Sequence, residues 1–112
     1  MEEMFESSVN AAGDLSGVFE VDGETAYFYL YAVQPPKILG WIHVCSRTAD
    51  FEQSDISIRW ARSDEYVGLF VRGVLWAAFH AATGTKHGGG YKPGSRPVLP
   101  TLVVNSFESL PS

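Results

Sequence analysis

Polar and apolar residues in this chain alternate more often than they recur at helical spacing. The alternation is cleanest between Asp55 and Ala61, where Ile56, Ile58 and Trp60 are apolar and Asp55, Ser57 and Arg59 are polar. A period of two sends successive side chains to opposite faces, so this segment predicts a strand with one buried and one wet face. Leu15–Val21 and Thr25–Val33 flank Asp22-Gly23, a dipeptide that tolerates positive φ and predicts a type I′ hairpin. In the second of these strands Ala26, Phe28, Leu30 and Ala32 form the expected core face, and Tyr27, Tyr29, Tyr31 and Val33 the other. Strand tyrosines most often serve cross-strand packing, so a second layer over the tyrosine face is expected, with exposure for binding as the alternative.

Gln34-Pro35-Pro36-Lys37 interrupts the ladder, because proline has no N–H to donate. Ile38–Cys45 is the next predicted strand. Strict alternation groups Ile38, Gly40, Ile42 and Val44 on one face and Leu39, Trp41, His43 and Cys45 on the other. Phe51 is the expected anchor of the polar loop 46–54. After an Arg62–Glu65 turn, Tyr66–Arg72 reads as a strand with Val67, Leu69 and Val71 inward and Phe70 on the opposite face. Arg72-Gly73 is a tight turn into Val74–Ala82. That segment fits a helix stopped at Gly84 or a strand. Its shortness, the preceding turn, and the alternation of Leu75, Ala77 and Phe79 with Trp76, Ala78 and His80 favour a strand.

Val98–Asn105 reads as a final strand, placed at a sheet edge by Pro100. Residues 1–14 read as a poorly packed lead-in, with a helical turn through Met4, Phe5 and Val9 the weak local signal. Residues 15–105 form a single β domain and residues 106–112 a tail. The whole predicts an all-β, mainly antiparallel protein, a small barrel or two-layer sandwich of about six or seven strands.

Composition narrows the chemistry. A chain of 112 residues with 46% hydrophobic and 19% charged residues suits one globular domain that needs no metal or disulfide staple. Cys45 is the single cysteine, which excludes an internal disulfide and any CxxC metal motif. The acidic start lacks a basic segment and an apolar core, so no signal peptide is read there, and a soluble cytoplasmic protein without a membrane span is expected.

A net charge of −5 disfavours nucleic acid as a partner. The charge is also uneven. Residues 1–36 carry Glu2, Glu3, Glu6, Asp14, Glu20, Asp22 and Glu24 and no Lys or Arg, whereas residues 66–107 carry Arg72, Lys86, Lys92 and Arg96 and no carboxylate. Pairing of the two halves on folding is one reading of this asymmetry, and a polarised binding surface the other.

The sharpest shift in composition is Thr83–Pro97, read as a flexible loop with Gly84, Gly88, Gly89, Gly90 and Gly94 among Lys86, His87, Lys92 and Arg96. It has neither the Walker spacing nor a GxGxxG opening a helix, so a mobile connection or a partner-contacting loop is preferred to a nucleotide site. His43 and Cys45, two apart on one strand, are loosely spaced for the direct hydrogen bond of a nucleophile–base pair, so a buried thiol beside a half-buried imidazole is the favoured expectation. No HxH, HExxH or GxSxG occurs. The expectation is therefore no catalytic residue, no metal and no cofactor. The candidate binding residues are Tyr27, Tyr29, Tyr31, Lys86, His87, Lys92 and Arg96.

Gly23-Glu24-Thr25-Ala26-Tyr27-Phe28-Tyr29, Ile56-Ser57-Ile58-Arg59-Trp60 and Val67-Gly68-Leu69-Phe70-Val71-Arg72-Gly73 carry a resemblance. Over residues 16–82 the chain resembles a family of small bacterial proteins known only as a domain of unknown function, with a GETGYFYA-like strand. Ala26 stands where that strand has Gly, Ser63-Asp64-Glu65 where its turn reads W-S-x-D-G, and Arg72-Gly73 where it has Asn-Gly. The resemblance implies an all-β bacterial protein and brings no activity, cofactor or site.

The expected function is a non-enzymatic protein-binding module, of immunity or antitoxin type, whose carboxylates cover a basic partner. The alternative is a small-ligand or RNA-binding barrel, Sm-like or OB-like, using the tyrosine strand and the Gly-rich loop. Self-association through an edge strand at Val98–Val104 is a further expectation.

Overall fold

The computed structural model describes residues 3–46 and 50–108. They form two four-stranded antiparallel sheets with one α-helix and two single turns of 3-10 helix. The first sheet is a meander of β1 (Met4–Val9), β2 (Leu15–Asp22), β3 (Thr25–Ala32) and β4 (Lys37–Ser46). The second is a meander of β5 (Ile56–Trp60), β6 (Tyr66–Val71), β7 (Val74–His80) and β8 (Lys86–Gly88). The two sheets share one core and do not close into a barrel, which removes the barrel from the two expected architectures.

Phe19, Val21, Ala26, Phe28, Leu30, Ile42 and Val44 of the first sheet meet Ile56, Ile58, Val67, Leu69, Val71, Ala77 and Phe79 of the second. Gly17 of β2 faces the second sheet at close range. A Cβ there would lie 2.6 Å from Val67 Cγ2 and 3.0 Å from Ile58 Cγ2. Phe51 is buried edge-on to Phe19 and Tyr91, the anchor expected of its loop.

Several local readings change. Residues 4–9 are not an unpacked lead-in but strand β1, paired with β2 from Met4↔Val21 to Val9↔Ser16. Its edge is tied to the other sheet by Gln53, whose side-chain amide accepts from Phe5 N and donates to Phe5 O, and by Trp60 Nε1 donating to Ser8 O at 2.9 Å. The first hairpin turns at Gly23-Glu24, with Asp22 paired to Thr25 and Gly23 alone at positive φ, which is the type II′ pattern. Arg72 and Gly73 both have positive φ between the paired Val71 and Val74, so the type I′ turn lies there instead.

Two irregularities in β4 upset strict alternation. Register shifts between Ala26 and Tyr27, and between Leu30 and Tyr31, insert one extra residue each opposite β3. An inserted residue flips the side chains beyond it. Cys45 therefore pairs with Ala26 and is buried in the core, while Ile38 pairs with Tyr31 and faces outward. A similar shift between Leu69 and Phe70 puts Leu75 on the outer face and Trp76 on the inner one.

The predicted last strand is absent. Thr101–Glu108 is helix α1, whose first N–H groups at Val103 and Val104 donate to Pro100 O. Leu99, Val103 and Phe107 recur at a spacing of four and pack with Val104 on Tyr66, Phe70, Leu75 and Ala78, the outer face of the second sheet. Proline is compatible with a helix start because no intrahelical donor is needed there. Self-association through a Val98–Val104 edge strand thereby loses its basis. Residues 109–112 of the expected tail lie outside the described residues.

The glycine run is ordered rather than a loose connection. Lys86–Gly88 pairs with β7, and then Gly89 N donates to Trp76 O, Gly90 N to His43 O and Tyr91 N to Val44 O. The strap thus crosses from one sheet to the other. Gly89 has φ +103, and a Cβ there would meet Ile42 Cγ2 at 2.5 Å and His43 O at 3.0 Å. Gly90 has φ +64 and open space around it. Gly89→Ala is expected to cost about 2–4 kcal/mol, backbone strain plus overpacking, and Gly90→Ala only about 1 kcal/mol. Urea midpoints at unchanged slope measure this, and two near-zero values would contradict a strap.

Candidate functional site

The outer face of the first sheet forms a grid set by strand register. Phe5, Glu20, Tyr27 and His43 lie in one row across β1–β4, and Ser7, Val18, Tyr29 and Trp41 in the next. Val9, Ser16, Tyr31 and Ile38 make the third. No described element covers this grid. Phe5 is 58% exposed, Trp41 56% and Ile38 52%, against the buried positions under α1 on the other sheet. The three tyrosines are half-buried by one another and by their strand neighbours, Tyr27 lying 5.9 Å from Tyr29 and edge-on to His43 at 5.6 Å. The second layer expected over them is absent, because the one helix of the described residues packs on the opposite side of the molecule.

Phe5, Val18, Tyr29, Tyr31 and Ile38 line a shallow depression of about 380 Å³ with Glu20 at its side. Glu3, Phe5, Glu20 and Asp22 line a second depression at the adjoining end. The negative charge reaches the aromatic rows. Burial, with the nearby Glu20, Tyr27 and Asp22, raises the Tyr29 hydroxyl above its ordinary range. At the β4 edge the charge reverses, since Lys86 Nζ stands 5.0 Å from the Trp41 ring.

Lys86 is thus the one loop candidate that joins the tyrosine face. His87 lies behind it on the other sheet, edge-on to Tyr66 at 6.2 Å. Lys92 and Arg96 line a separate cleft with Arg72, Trp76 and Tyr91. There Arg72 bonds Asp50 through the Asp50 backbone oxygen, pairs with its carboxylate at 3.5 Å, and pairs with Asp55 at 3.6 Å. The Tyr91 hydroxyl donates to the Asp50 carboxylate. Sequence reading missed Phe5, Trp41, Arg72 and Tyr91 as surface or cleft components. For Phe5 and Trp41 the signal was an outward position beside Glu20 and Tyr29, legible only once the register is known.

The histidines do not build a reactive pair with the thiol. Cys45 is buried and its pKa is raised by that burial, while His43 is on the opposite, exposed face with Nε2 2.8 Å from Ser46 Oγ. His80 sits between Thr83 Oγ1, 2.9 Å from Nδ1, and Glu65 Oε1, 3.5 Å from Nε2. That order imitates a nucleophile, a base and an orienting carboxylate. However, the N–H groups of Gly84 and Thr85 are taken by His80 O and Thr83 Oγ1, leaving neither to hold an oxyanion. Among the described residues no three His, Cys, Asp or Glu side chains converge as metal ligands. No described helix is long and apolar enough to cross a membrane.

A family model described as uncharacterized protein conserved in bacteria (DUF2251) matches residues 1–90, and the chain belongs to that family. Comparison with curated proteins and with solved structures gives no match. The matched segment spans both sheets and ends at Gly90, so Tyr91, the Lys92–Arg96 turn and α1 lie beyond it.

The Tyr91–Asp50–Arg72 group makes stability pH-dependent at both ends. The Tyr91 hydroxyl bond, opposed by burial and aided by Arg72, holds Asp50 below its ordinary value of 3.8. Burial, then the Asp50 bond, lifts Tyr91 above 10.0. A lowered carboxylate stabilises above its unfolded pKa and loses this as pH falls; a raised phenol stabilises below its unfolded pKa and loses this as pH rises. Tyr91→Phe is expected to be destabilised most near neutral pH, with the gap to the unmodified protein shrinking below about pH 4 and above about pH 10. Urea unfolding across pH measures the gap, and a constant difference would show that the hydroxyl bond contributes nothing.

Proposed function

We propose that this member of a bacterial family works as a non-enzymatic binding module that docks a basic protein partner on the outer face of its first sheet. The observation that carries the reading is the asymmetry of the two outer faces. The second sheet is covered by α1, whereas Phe5, Ile38 and Trp41 stand exposed around three tyrosines on the first. Aromatic side chains with polar tips supply contact area at small entropic cost and dominate binding energy where they are desolvated by a partner.

Charge selects the partner's chemistry. Glu3, Glu20 and Asp22 border the aromatic rows, so a surface rich in Lys and Arg is attracted and a phosphate backbone repelled. This weighs against the tyrosine face as an RNA platform. Neutralising a basic partner suits a role of immunity or antitoxin type. A cytoplasmic setting suits the buried free thiol of Cys45.

Co-purification from the native bacterium, followed by reconstitution with the identified partner, tests the reading. One partner with a basic surface is expected to be retained at about 50 mM salt and released toward about 500 mM. Tyr29→Ala with Trp41→Ala is expected to weaken the reconstituted complex by about 100-fold, and Glu20→Lys to slow association, whereas Leu102→Ala on the helix side changes neither. Retention of the partner by the double variant, or of no partner by the unmodified chain, would overturn the assignment.

A further inference from the structure

We infer that the cleft between the Arg72-Gly73 turn and the Lys92–Arg96 turn is a site for a small organic oxyanion, a phosphate or carboxylate group on an apolar body. The inference does not rest on the docking face, and this cleft is distinct from it. Three of the eight Lys and Arg residues of a chain with net charge −5 line one cavity of about 270 Å³. Asp50, the carboxylate that lines it, is already engaged. Asp50 is bonded by Tyr91 and Arg72, and Asp55 pairs with Arg72. Among the described residues no ion pair engages Lys92 or Arg96, so the cleft keeps uncompensated positive charge.

The surrounding geometry is built rather than incidental. Arg72 has φ +51, in the left-handed region where Gly, Asn or Asp fit a type I′ turn best. The chain nonetheless places a long cation there and holds its guanidinium from two carboxylates. A strained residue whose side chain is fixed in this way points to a requirement for that side chain. Across the cleft, Ser95 N and Ser95 Oγ both donate to Lys92 O, and Gly94 at φ +77 completes a turn that spaces Lys92 from Arg96. Between the two turns lie Val74 and the edge-on pair Trp76 and Tyr91, with centroids 4.6 Å apart. Cations at the rim and apolar rings beneath match an anionic head on an apolar body. Lys92 and Arg96 follow Gly90, the last residue matched by the family model, whereas Arg72, Val74 and Trp76 lie within the matched segment, so the site joins the two.

The test is an amide and indole NMR titration of the full chain with inorganic phosphate, phenyl phosphate and benzoate. Saturable shifts are expected at Arg72, the Trp76 indole, Tyr91 and residues 92–96, with phenyl phosphate tighter than inorganic phosphate. Lys92→Ala with Arg96→Ala should weaken binding by about tenfold or more, while Lys37→Ala on a distant strand leaves it unchanged. Phenyl phosphate against benzoate separates a phosphate from a carboxylate preference. Shifts that never saturate, that spread over all surface cations, or that persist in the double variant would overturn the site. Loss of docking by the Tyr29→Ala and Trp41→Ala variant would leave these titrations untouched, so the two readings fail independently.

Discussion

The glycine strap holds the two sheets at one edge, and much of the molecule's surface follows from it. Three consecutive backbone donors, at Gly89, Gly90 and Tyr91, reach Trp76 O in one sheet and His43 O and Val44 O in the other. At Gly89 the approach leaves no room for a side chain, as the 2.5 Å separation of a Cβ there from Ile42 Cγ2 shows. The strap sets Lys86 beside Trp41, delivers Tyr91 to Phe51, Trp76 and Asp50, and sends the chain toward α1. The opposite edge is held by different means, through the Gln53 amide and the Trp60 indole on the backbone of β1. Both devices use polar groups that would otherwise cost energy at a sheet edge, and both deny that edge to a foreign strand.

The path beyond the strap makes the outer faces unequal. Both sheets carry aromatic residues outward. On the second sheet these meet α1 and Arg59, whose guanidinium lies 4.1 Å from the Phe70 ring. Gly68 lets Phe107 come down onto that sheet, since a Cβ at Gly68 would lie 2.8 Å from Phe107 Cζ. On the first sheet no described element covers the tyrosines, which are shielded by one another and by strand neighbours that include Val18, Ile38, Trp41 and His43. That face is therefore apolar and aromatic along its rows and bordered by the carboxylates of Glu3, Glu20 and Asp22.

Much of the scaffold was legible along the chain. The alternation at Ile56–Trp60, the buried Ala26, Phe28 and Leu30 and the turn at Arg72-Gly73 are present as read, and the strand read over Val74–Ala82 is present as Val74–His80. The losses have identifiable causes. Val98–Asn105 looks like a strand at period two, but Leu99, Val103 and Phe107 recur at period four, and the longer period is realised because a bare apolar sheet face lies within reach. Single-residue insertions in β4 moved Ile38 and Cys45 to the faces opposite those that alternation assigns, which also separated Cys45 from His43. Met4–Val9 carries little local signal, and becomes a strand because β2 offers it an unpaired edge.

The sequence by itself therefore determined what depends on neighbours along the chain: the strands with regular alternation, the tight turn at Arg72-Gly73, the core face of each regular strand, and the division of charge between an acidic first third and a cationic later part. Tertiary structure alone decided what depends on contacts distant along the chain. It chose which outer face the helix covers and which stays bare, it turned a run of glycines from a flexible linker into a clamp, and it distributed the candidate residues among separate places. Tyr27, Tyr29, Tyr31 and Lys86 went to one surface, Lys92 and Arg96 joined Arg72 in another, and His87 was left beside Tyr66. The physical reason is that local periodicity reports the direction of a side chain relative to its own backbone, whereas a site is made by which backbones approach, and at what register.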